Sequence, residues 1–264
     1  MSSGSHRAPR IAVPGTFNFR DVGGYATQDG GSVATGRLYR ADGLGRLGEP
    51  GVRLLRDLRI GSVIDLREEM EVRNIPDALD GLGARYTHLP LLGNRYFPLD
   101  ENTPDRIVLD PHTLPSLYAA TIETAGTRFV EVITHVAQEQ DGAVVFHCSA
   151  GKDRTGLTAA FILTLLGVDR DTVIADYALT EEYLGEDFRA ALRSHFSSAG
   201  ISTVSTMATE AKPQWLADVL DRLDHDHGGV EGYLADHGMA DGVVARLRTH
   251  LIAAEGPDGP ARVH

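Results

Sequence analysis

A thiol and a guanidinium lie close together in one short stretch of this sequence. Cys148, the only cysteine among the 264 residues, is followed at the spacing C-x5-R by Arg154. A cysteine thiolate is a strong nucleophile, and the planar arginine fork binds two phosphate oxygens at once. The pair therefore predicts attack on a phosphate monoester in two in-line displacements through a phosphocysteine, for which we expect neither a metal nor another cofactor.

The elements expected around this stretch suit that chemistry. Residues 143–146 are apolar and predict a short buried strand, and residues 157–166 predict a helix. A glycine-bearing loop between them would point free backbone N–H groups and the positive end of the helix dipole at one spot. The residues expected to bind the phosphate are Ser149, Ala150, Gly151, Lys152 and Thr155.

Three side chains of this loop have more specific interpretations. The hydroxyl of Thr155 could bond the cysteine sulfur and ease its departure from phosphocysteine, and His147 is expected to orient the loop through hydrogen bonds. Lys152 has two readings: it ends a helix in solvent, or, as its resemblance to the loop lysine of phosphoinositide-cleaving phosphatases implies, it contacts additional phosphates of the substrate. C-x5-R alone is weak evidence, since a buried structural cysteine near an arginine would match it; the flanking residues make the motif specific.

The whole stretch from His147 to Gly156 resembles the signature of the atypical bacterial tyrosine/serine protein phosphatases, a cysteine-dependent family with a secreted mycobacterial member of broad specificity. The resemblance extends from Phe17 to Leu251. It implies an α/β fold of the phosphotyrosine-phosphatase type, with a central sheet flanked by helices and a helical C-terminal section. The matching segments outside the loop are residues 18–21, 36–40, 63–67, 173–177 and 229–234.

The leaving oxygen needs a proton, so a general acid must exist. The chain lacks a Trp-Pro-Asp tripeptide, and the resemblance implies Asp153 as the acid; the alternative is that Asp153 only caps the helix. Competing acids lie in the proline-containing segment 91–115, which we expect to be a long loop or a partly ordered lid. Those competitors are Asp100, Asp105 and Asp110, within residues 94–110.

Residues outside the loop could support it. Arg20, Asp21 and Arg67 would brace the loop or line the pocket, although residues of this kind at strand ends are more often structural ion-pair partners. Residues 183–216, within a broader range 181–216, resemble a helical pair that covers the pocket, and an ordinary packed hairpin is the alternative.

Composition limits the partners. The net charge of −12 argues against nucleic acid or an anionic membrane surface as the main partner. From the loop and the resemblance, instead, we expect a phosphorylated substrate: a phosphoprotein, a phosphoinositide or a small phosphate ester. A single cysteine excludes an intramolecular disulfide, and the N-terminal residues carry no apolar leader, so we expect a cytoplasmic location; export by another route would leave no mark in the sequence. No run approaches the ~18 apolar residues of a membrane span, so we expect no stable membrane insertion. The sequence leaves the oligomeric state open.

The predicted organisation is one phosphatase domain over residues 1–264, with disordered tails at 1–10 and 256–264. Turn residues at 28–32 predict a hairpin between an extended segment at 17–25 and a strand at 37–40. Further strands are expected at 61–66 and 85–90. Helices are expected at 49–58, 117–137, 171–184 with Asp171 as the cap, 187–196, 213–223, 230–237 and 241–254.

Two other motifs are decoys. Gly43-x-Gly45-x-x-Gly48 lacks the strand directly before it that a dinucleotide site needs. His225 and His227 are two residues apart on a helix and face different sides of it, so we expect no metal site there. Three functions remain: a protein-tyrosine or dual-specificity phosphatase with phosphoinositides as further substrates, a phosphatase for a sugar or nucleoside phosphate, and an inactive phosphate-binding module.

Overall fold

The computed structural model describes residues 8–92, 114–139, 142–197 and 209–253. Within these residues a five-stranded sheet has the spatial order β1-β2-β5-β3-β4, and all its neighbours are parallel except β1, which pairs with β2 in the predicted hairpin. The central strand is therefore the one that leads into the cysteine loop. The strands are β1 (Arg20–Asp21), β2 (Leu38–Ala41), β3 (Ile60–Asp65), β4 (Arg85–His88) and β5 (Ala143–His147).

Every residue of β5 is buried, because the strand is covered on both faces. Successive side chains point to opposite faces of a sheet. Val144 and Phe146 accordingly belong to one hydrophobic cluster, whereas Ala143 and Val145 belong to a second. A strand buried on both faces has a nearly continuous apolar sequence, and this is why the apolar run 143–146 predicts a strand.

Helices cover both faces of the sheet and form the C-terminal part of the chain, so the predicted α/β architecture is confirmed. No helix of the described residues is both long and apolar enough to cross a membrane. The helices are α1 (Glu49–Asp57), α2 (Glu69–Asn74), α3 (Leu114–Thr124), α4 (Gly126–Gln138), α5 (Asp153–Leu165), α6 (Arg170–Tyr183), α7 (Glu186–Ser197), α8 (Pro213–His227), α9 (Val230–Asp236) and α10 (Val243–Leu251).

The single helix predicted over 117–137 is wrong: the chain breaks at Ala125, between α3 and α4. Gly126 begins α4 directly against the ring of His237, and a Cβ atom there would lie 2.1 Å from the Cδ2 of that ring. The break allows the backbone of Gly126 to lie against His237, the residue that follows α9. Apolar periodicity continues through both helices, so the pattern gave no sign of it.

Two boundaries also differ from the prediction. The cap of α6 is Asp169, whose carboxylate accepts hydrogen bonds from the backbone N–H groups of Asp171 and Thr172, so Asp171 lies in the first turn. Part of the predicted N-terminal tail belongs to the fold, since Ala8 is buried and its carbonyl oxygen accepts a hydrogen bond from the Tyr183 hydroxyl at 2.7 Å. Residues 1–7, most of 91–115 and all of 256–264 lie outside the described residues.

Candidate active site

The loop that follows β5 depends on one glycine. Gly151 has φ of +66°, a backbone conformation that other residues rarely adopt. A Cβ at this position would lie 2.5 Å from the carbonyl oxygen of Ala41, at the end of β2. The loop can therefore pass this close to the neighbouring strand only because the residue has no side chain.

The peptide carbonyls of the loop are held from the outside. The carbonyl oxygen of Ser149 accepts from the Gly43 N–H at 3.1 Å, and the Asn18 amide donates to the carbonyl oxygens of Ala150 and Gly151 at 3.1 and 3.0 Å. Peptide N–H groups point opposite to their carbonyls, so this arrangement turns the N–H groups of the loop toward its concave side. That side is suited to bind the oxygens of a phosphate.

Asn18 is itself fixed by a buried carboxylate. Asp42 accepts hydrogen bonds from the backbone N–H groups of Phe17 and Asn18, at 2.9 and 2.8 Å. Burial raises the pKa of Asp42 to about 6, although these N–H donors favour its charged form. The aspartate after β2 thus holds the segment that supports the loop.

A buried cluster of charges lies behind Gly151. Arg20 and Arg40 both pair with Asp176 of α6, at 3.1 and 2.6 Å, and all three side chains are almost fully buried. Arg40 also donates to the carbonyl oxygen of Gly151 at 2.9 Å, and Arg20 donates to the Asn18 side chain. The cluster therefore connects α6 to the back of the loop, and Arg20 braces the loop rather than lining the pocket.

The two arginines share one carboxylate, and this sharing shifts the pKa values of Asp176 and Arg40. Burial opposes the ionisation of Asp176, but Arg20 and Arg40 outweigh it and lower the pKa of Asp176 to about 2. Burial, and then the charge of Arg20, lower the pKa of Arg40 to about 10 in spite of Asp176. Within the described residues, one positive charge of the cluster thus has no anion of its own, and Arg40 directs it at the Gly151 carbonyl oxygen.

The buried ring of His147 lies between the backbone of Cys148 and a carboxylate. Its Nδ1 lies 3.2 Å from the carbonyl oxygen of Cys148, and its Nε2 lies 2.8 Å from Oδ2 of Asp77. Burial opposes protonation of this ring, but Asp77 and then Asp65 outweigh it, so the pKa of His147 is raised. The ring therefore links the nucleophile's backbone to buried carboxylates.

Arg67 neutralises the same carboxylates. Its Nη2 donates to Asp65 at 2.7 Å and to Asp77 at 2.8 Å. Asp65, Asp77 and His147 offer ligand atoms within 4.8 Å of one another, which is close enough for a metal ion. Because the guanidinium already bridges both carboxylates, we interpret the group as an ion-pair network that supports His147.

Arg154 lies at the first turn of α5 with a carboxylate partner that sequence analysis missed. Its Nη1 and Nη2 donate to the two oxygens of Glu71, at 2.5 and 2.8 Å, and the Ser149 hydroxyl bonds the same carboxylate. Burial opposes the charge on Arg154, but Glu71 outweighs it and raises its pKa. Both ends of the guanidinium are thus fixed beside Cys148, which is 2% exposed.

Asp153, the predicted acid, does not cap α5, whose capping residue Lys152 makes no side-chain cap either. The Asp153 carboxylate instead accepts a hydrogen bond from the Tyr118 hydroxyl at 2.5 Å and remains 27% exposed. Lys152 is 2% exposed, with its Nζ 3.4 Å from Asp153 Oδ1 and 5.9 Å from the ring centre of Trp215. The reading of Lys152 as a solvated helix end is therefore wrong.

Two predicted contacts take another form. The Oγ1 of Thr155 is buried and has no hydrogen-bond partner within the described part of the chain, so the predicted bond to the sulfur is not formed here. The Asp21 carboxylate accepts from the N–H groups of Gly23 and Gly36 at 2.7 Å each, and so it stabilises the hairpin rather than the loop. The competing acids of segment 94–110 lie outside the described residues.

One of the helices proposed as a lid contacts the loop, and the other contacts the segment that supports it. Phe188 of α7 packs edge-on against Phe17, which precedes Asn18, with ring centres 5.4 Å apart. Trp215 of α8 lies over Lys152. Residues 198–208 between these helices are outside the described part, so whether residues 183–216 move as a lid stays a prediction.

Glu71 carried a local signal in the sequence. Glu68 and Glu71 form a capping box at the start of α2, in which each side chain accepts from the other's backbone N–H. That spacing predicts a helix start and says nothing of Arg154, 83 residues further on. Tyr118 carried no signal at all, because a tyrosine on an apolar helix face usually belongs to the core.

Comparison with known proteins is consistent with this geometry. A family model described as the tyrosine phosphatase family matches residues 11–253. The chain is 28% identical to the triple specificity protein phosphatase PtpB of Mycobacterium tuberculosis, covering 91% of this chain and 98% of that protein. It is 30% identical to a tyrosine-protein phosphatase of Nostoc commune, covering 83% and 76% respectively. A crystal structure of P. aeruginosa TpbA with phosphotyrosine matches 71% of this chain and 85% of that one at 18% identity, with a TM-score of 0.42.

Proposed function

This chain belongs to the tyrosine phosphatase family, and from that premise we propose that it is a dual-specificity phosphatase that dephosphorylates proteins and also accepts phosphoinositides. The observation that carries the proposal is the loop itself: Cys148 is buried, the loop carbonyls are bonded from outside the loop, and Glu71 holds Arg154 by both guanidinium ends. PtpB, named as a triple specificity enzyme, is similar over 91% of the chain, which supports the breadth of substrate.

The proposed reaction has two steps. The thiolate of Cys148 attacks phosphorus while the bond from phosphorus to the ester oxygen breaks, and Asp153 transfers its proton to that oxygen. The Asp153 carboxylate then takes a proton from water as the water oxygen attacks phosphorus, and the sulfur leaves as the thiolate. The N–H groups of the loop and Arg154 hold the three oxygens of the transferred phosphoryl group through both steps.

Lys152 supports substrates that carry more than one phosphate. Its ammonium group is adjacent to the loop, with Nζ 3.4 Å from Asp153 Oδ1 and 5.9 Å from the ring centre of Trp215. An ammonium is a point charge on a flexible stem and can turn toward a second phosphate. A phosphoinositide headgroup offers such a phosphate beside the scissile one.

The chemistry also requires a reduced thiol. We therefore propose a cytoplasmic location. We further propose one phosphatase domain over residues 1–264 and no nucleic-acid partner. Cell fractionation with an antibody to the protein would test the location.

Hydrolysis of p-nitrophenyl phosphate tests the mechanism. We expect turnover by the wild type and a loss of about three orders of magnitude or more in Cys148→Ser, since serine cannot supply a thiolate. Activity that survives in Cys148→Ser would exclude the cysteine mechanism. A wild type that binds phosphate but does not turn over would be the inactive binding module.

The substrate class needs a panel. The proposal predicts that kcat/KM for phosphotyrosine, phosphoserine and phosphothreonine peptides and for soluble phosphoinositide headgroups exceeds that for sugar or nucleoside phosphates. The reverse order would favour the metabolite phosphatase.

A further inference from the structure

Two buried tyrosines extend from the proposed acid into the core. Tyr118 of α3 and Tyr177 of α6 are each 1% exposed, and their hydroxyl oxygens lie 2.6 Å apart. The Tyr118 hydroxyl also lies 2.5 Å from Oδ1 of Asp153. Three polar groups from three helices thus form one line that ends at the catalytic loop.

The direction of these hydrogen bonds follows from the donors available. A carboxylate oxygen only accepts, so Tyr118 donates its single hydroxyl hydrogen to Asp153. Tyr118 must then accept from Tyr177, and both hydroxyl dipoles point toward the carboxylate. Burial and then the charge of Asp153 raise the pKa of both tyrosines, so both remain protonated donors at working pH.

The two oxygens of Asp153 are therefore not equivalent. Oδ1 accepts from Tyr118 and lies 3.4 Å from Nζ of Lys152, and both contacts favour negative charge on that oxygen. A proton on the carboxyl group consequently belongs on Oδ2. The other charged groups that act on the tyrosine pair are Arg40 and Glu181, both felt by Tyr177.

We propose that Tyr118, held by Tyr177, is the positioning residue of the general acid: it fixes the Asp153 carboxyl group by Oδ1 so that Oδ2 carries the proton to the leaving oxygen. This inference rests on the proposed role of Asp153 as the acid. Neither tyrosine touches the substrate in this arrangement. The role of both is to orient the carboxyl group and to select the oxygen that is protonated.

The experiment compares two aryl substrates. The phenolate of phenyl phosphate is a poor leaving group that needs a proton, whereas p-nitrophenolate leaves with little help. We expect Asp153→Asn and Tyr118→Phe both to lower kcat for phenyl phosphate selectively, Tyr118→Phe by roughly tenfold, which is the effect of one lost charge-assisted hydrogen bond. Tyr177→Phe should show a smaller loss of the same kind.

Further readouts separate positioning from folding. The double variant Tyr118→Phe with Asp153→Asn should be no slower than Asp153→Asn alone, because Tyr118 acts only through Asp153. Tyr233→Phe is the matched control. It removes a buried hydroxyl of α9 that donates at 2.7 Å to the carbonyl oxygen of Ile122 in α3, the helix that carries Tyr118, and it should leave kcat for both substrates unchanged.

Two results would overturn the inference in distinguishable ways. If Asp153→Asn is selective for phenyl phosphate but Tyr118→Phe slows both substrates equally, Tyr118 has only a structural role. If Asp153→Asn itself shows no selectivity, Asp153 is not the acid and the role of Tyr118 fails with it, while the Cys148→Ser test still decides the mechanism as a whole.

Discussion

Replacing Asp176 by asparagine tests whether the buried charge cluster holds the loop. The change keeps the shape of the side chain but removes the carboxylate that Arg20 and Arg40 share. Leaving a buried charge without its partner typically costs about 3–5 kcal/mol in the free energy of unfolding. For a chain of this size, that loss lowers Tm by about 6–20 °C.

The pH dependence gives an independent magnitude. The pKa of Asp176 is about 2 in the folded protein, below its usual value, so its contribution to stability is complete above about pH 4 and is lost as the pH falls through about 2. A shift of nearly two pKa units corresponds to about 2 kcal/mol. The difference in the free energy of unfolding between the wild type and Asp176→Asn should therefore shrink by about that amount from pH 4 to pH 2.

Urea unfolding at several pH values measures both effects. Asp218→Asn is the control, because Asp218 is an exposed residue of α8 and its loss should change the free energy of unfolding by no more than about 0.5 kcal/mol. An equal, small effect of the two substitutions at neutral pH would refute the reasoning that these charges stabilise one another. A difference that stays constant from pH 4 to pH 2 would refute the assignment of the lowered pKa.

Three further outcomes test the site. Glu71→Gln should lower kcat for p-nitrophenyl phosphate by about 10–100-fold, because Arg154 loses the carboxylate that fixes it. Glu69 is an exposed neighbour paired with Arg73, and Glu69→Gln should leave kcat unchanged. Equal kcat values for the two variants would contradict a positioning role of Glu71. Lys152→Ala should lower kcat/KM by about tenfold more for a bisphosphate than for a monophosphate, with Lys212→Ala, the chain's other lysine, as the control. Raising the salt concentration should not lower kcat/KM for an anionic substrate, since the net charge of −12 repels it at long range; a steep fall would indicate attraction instead.

The strand, loop and helix that carry Cys148 and Arg154 could be predicted because their signals are local. The four apolar residues 143–146 and the apolar run 157–166 predict β5 and α5, and the loop motif lies between them. The hairpin was predictable for the same reason, since its turn residues and its flanking strands are close in the chain.

The supports of the loop could not be predicted, because they come from distant parts of the chain. Glu71 reaches Arg154 across 83 residues, and Asp176 reaches Arg20 across 156. Such pairs form only when the sheet order brings their elements together, and no spacing rule contains that information. Asn18, Arg40 and Asp176 were recognised only as parts of matching segments, and the structure supplies their roles.

A net negative chain can bind an anionic phosphate in its loop, because the surface charges and the loop groups act on the phosphate at different distances. At physiological ionic strength, charges separated by more than about 8 Å in water are largely screened from one another. Arg154 and the loop N–H groups act at hydrogen-bond distance, and Arg154 is 6% exposed, so solvent screens its contact with a phosphate far less. An acidic surface therefore lowers the rate of encounter with an anionic substrate, while the affinity of the loop for a phosphate already in place is set by the buried groups that hold it.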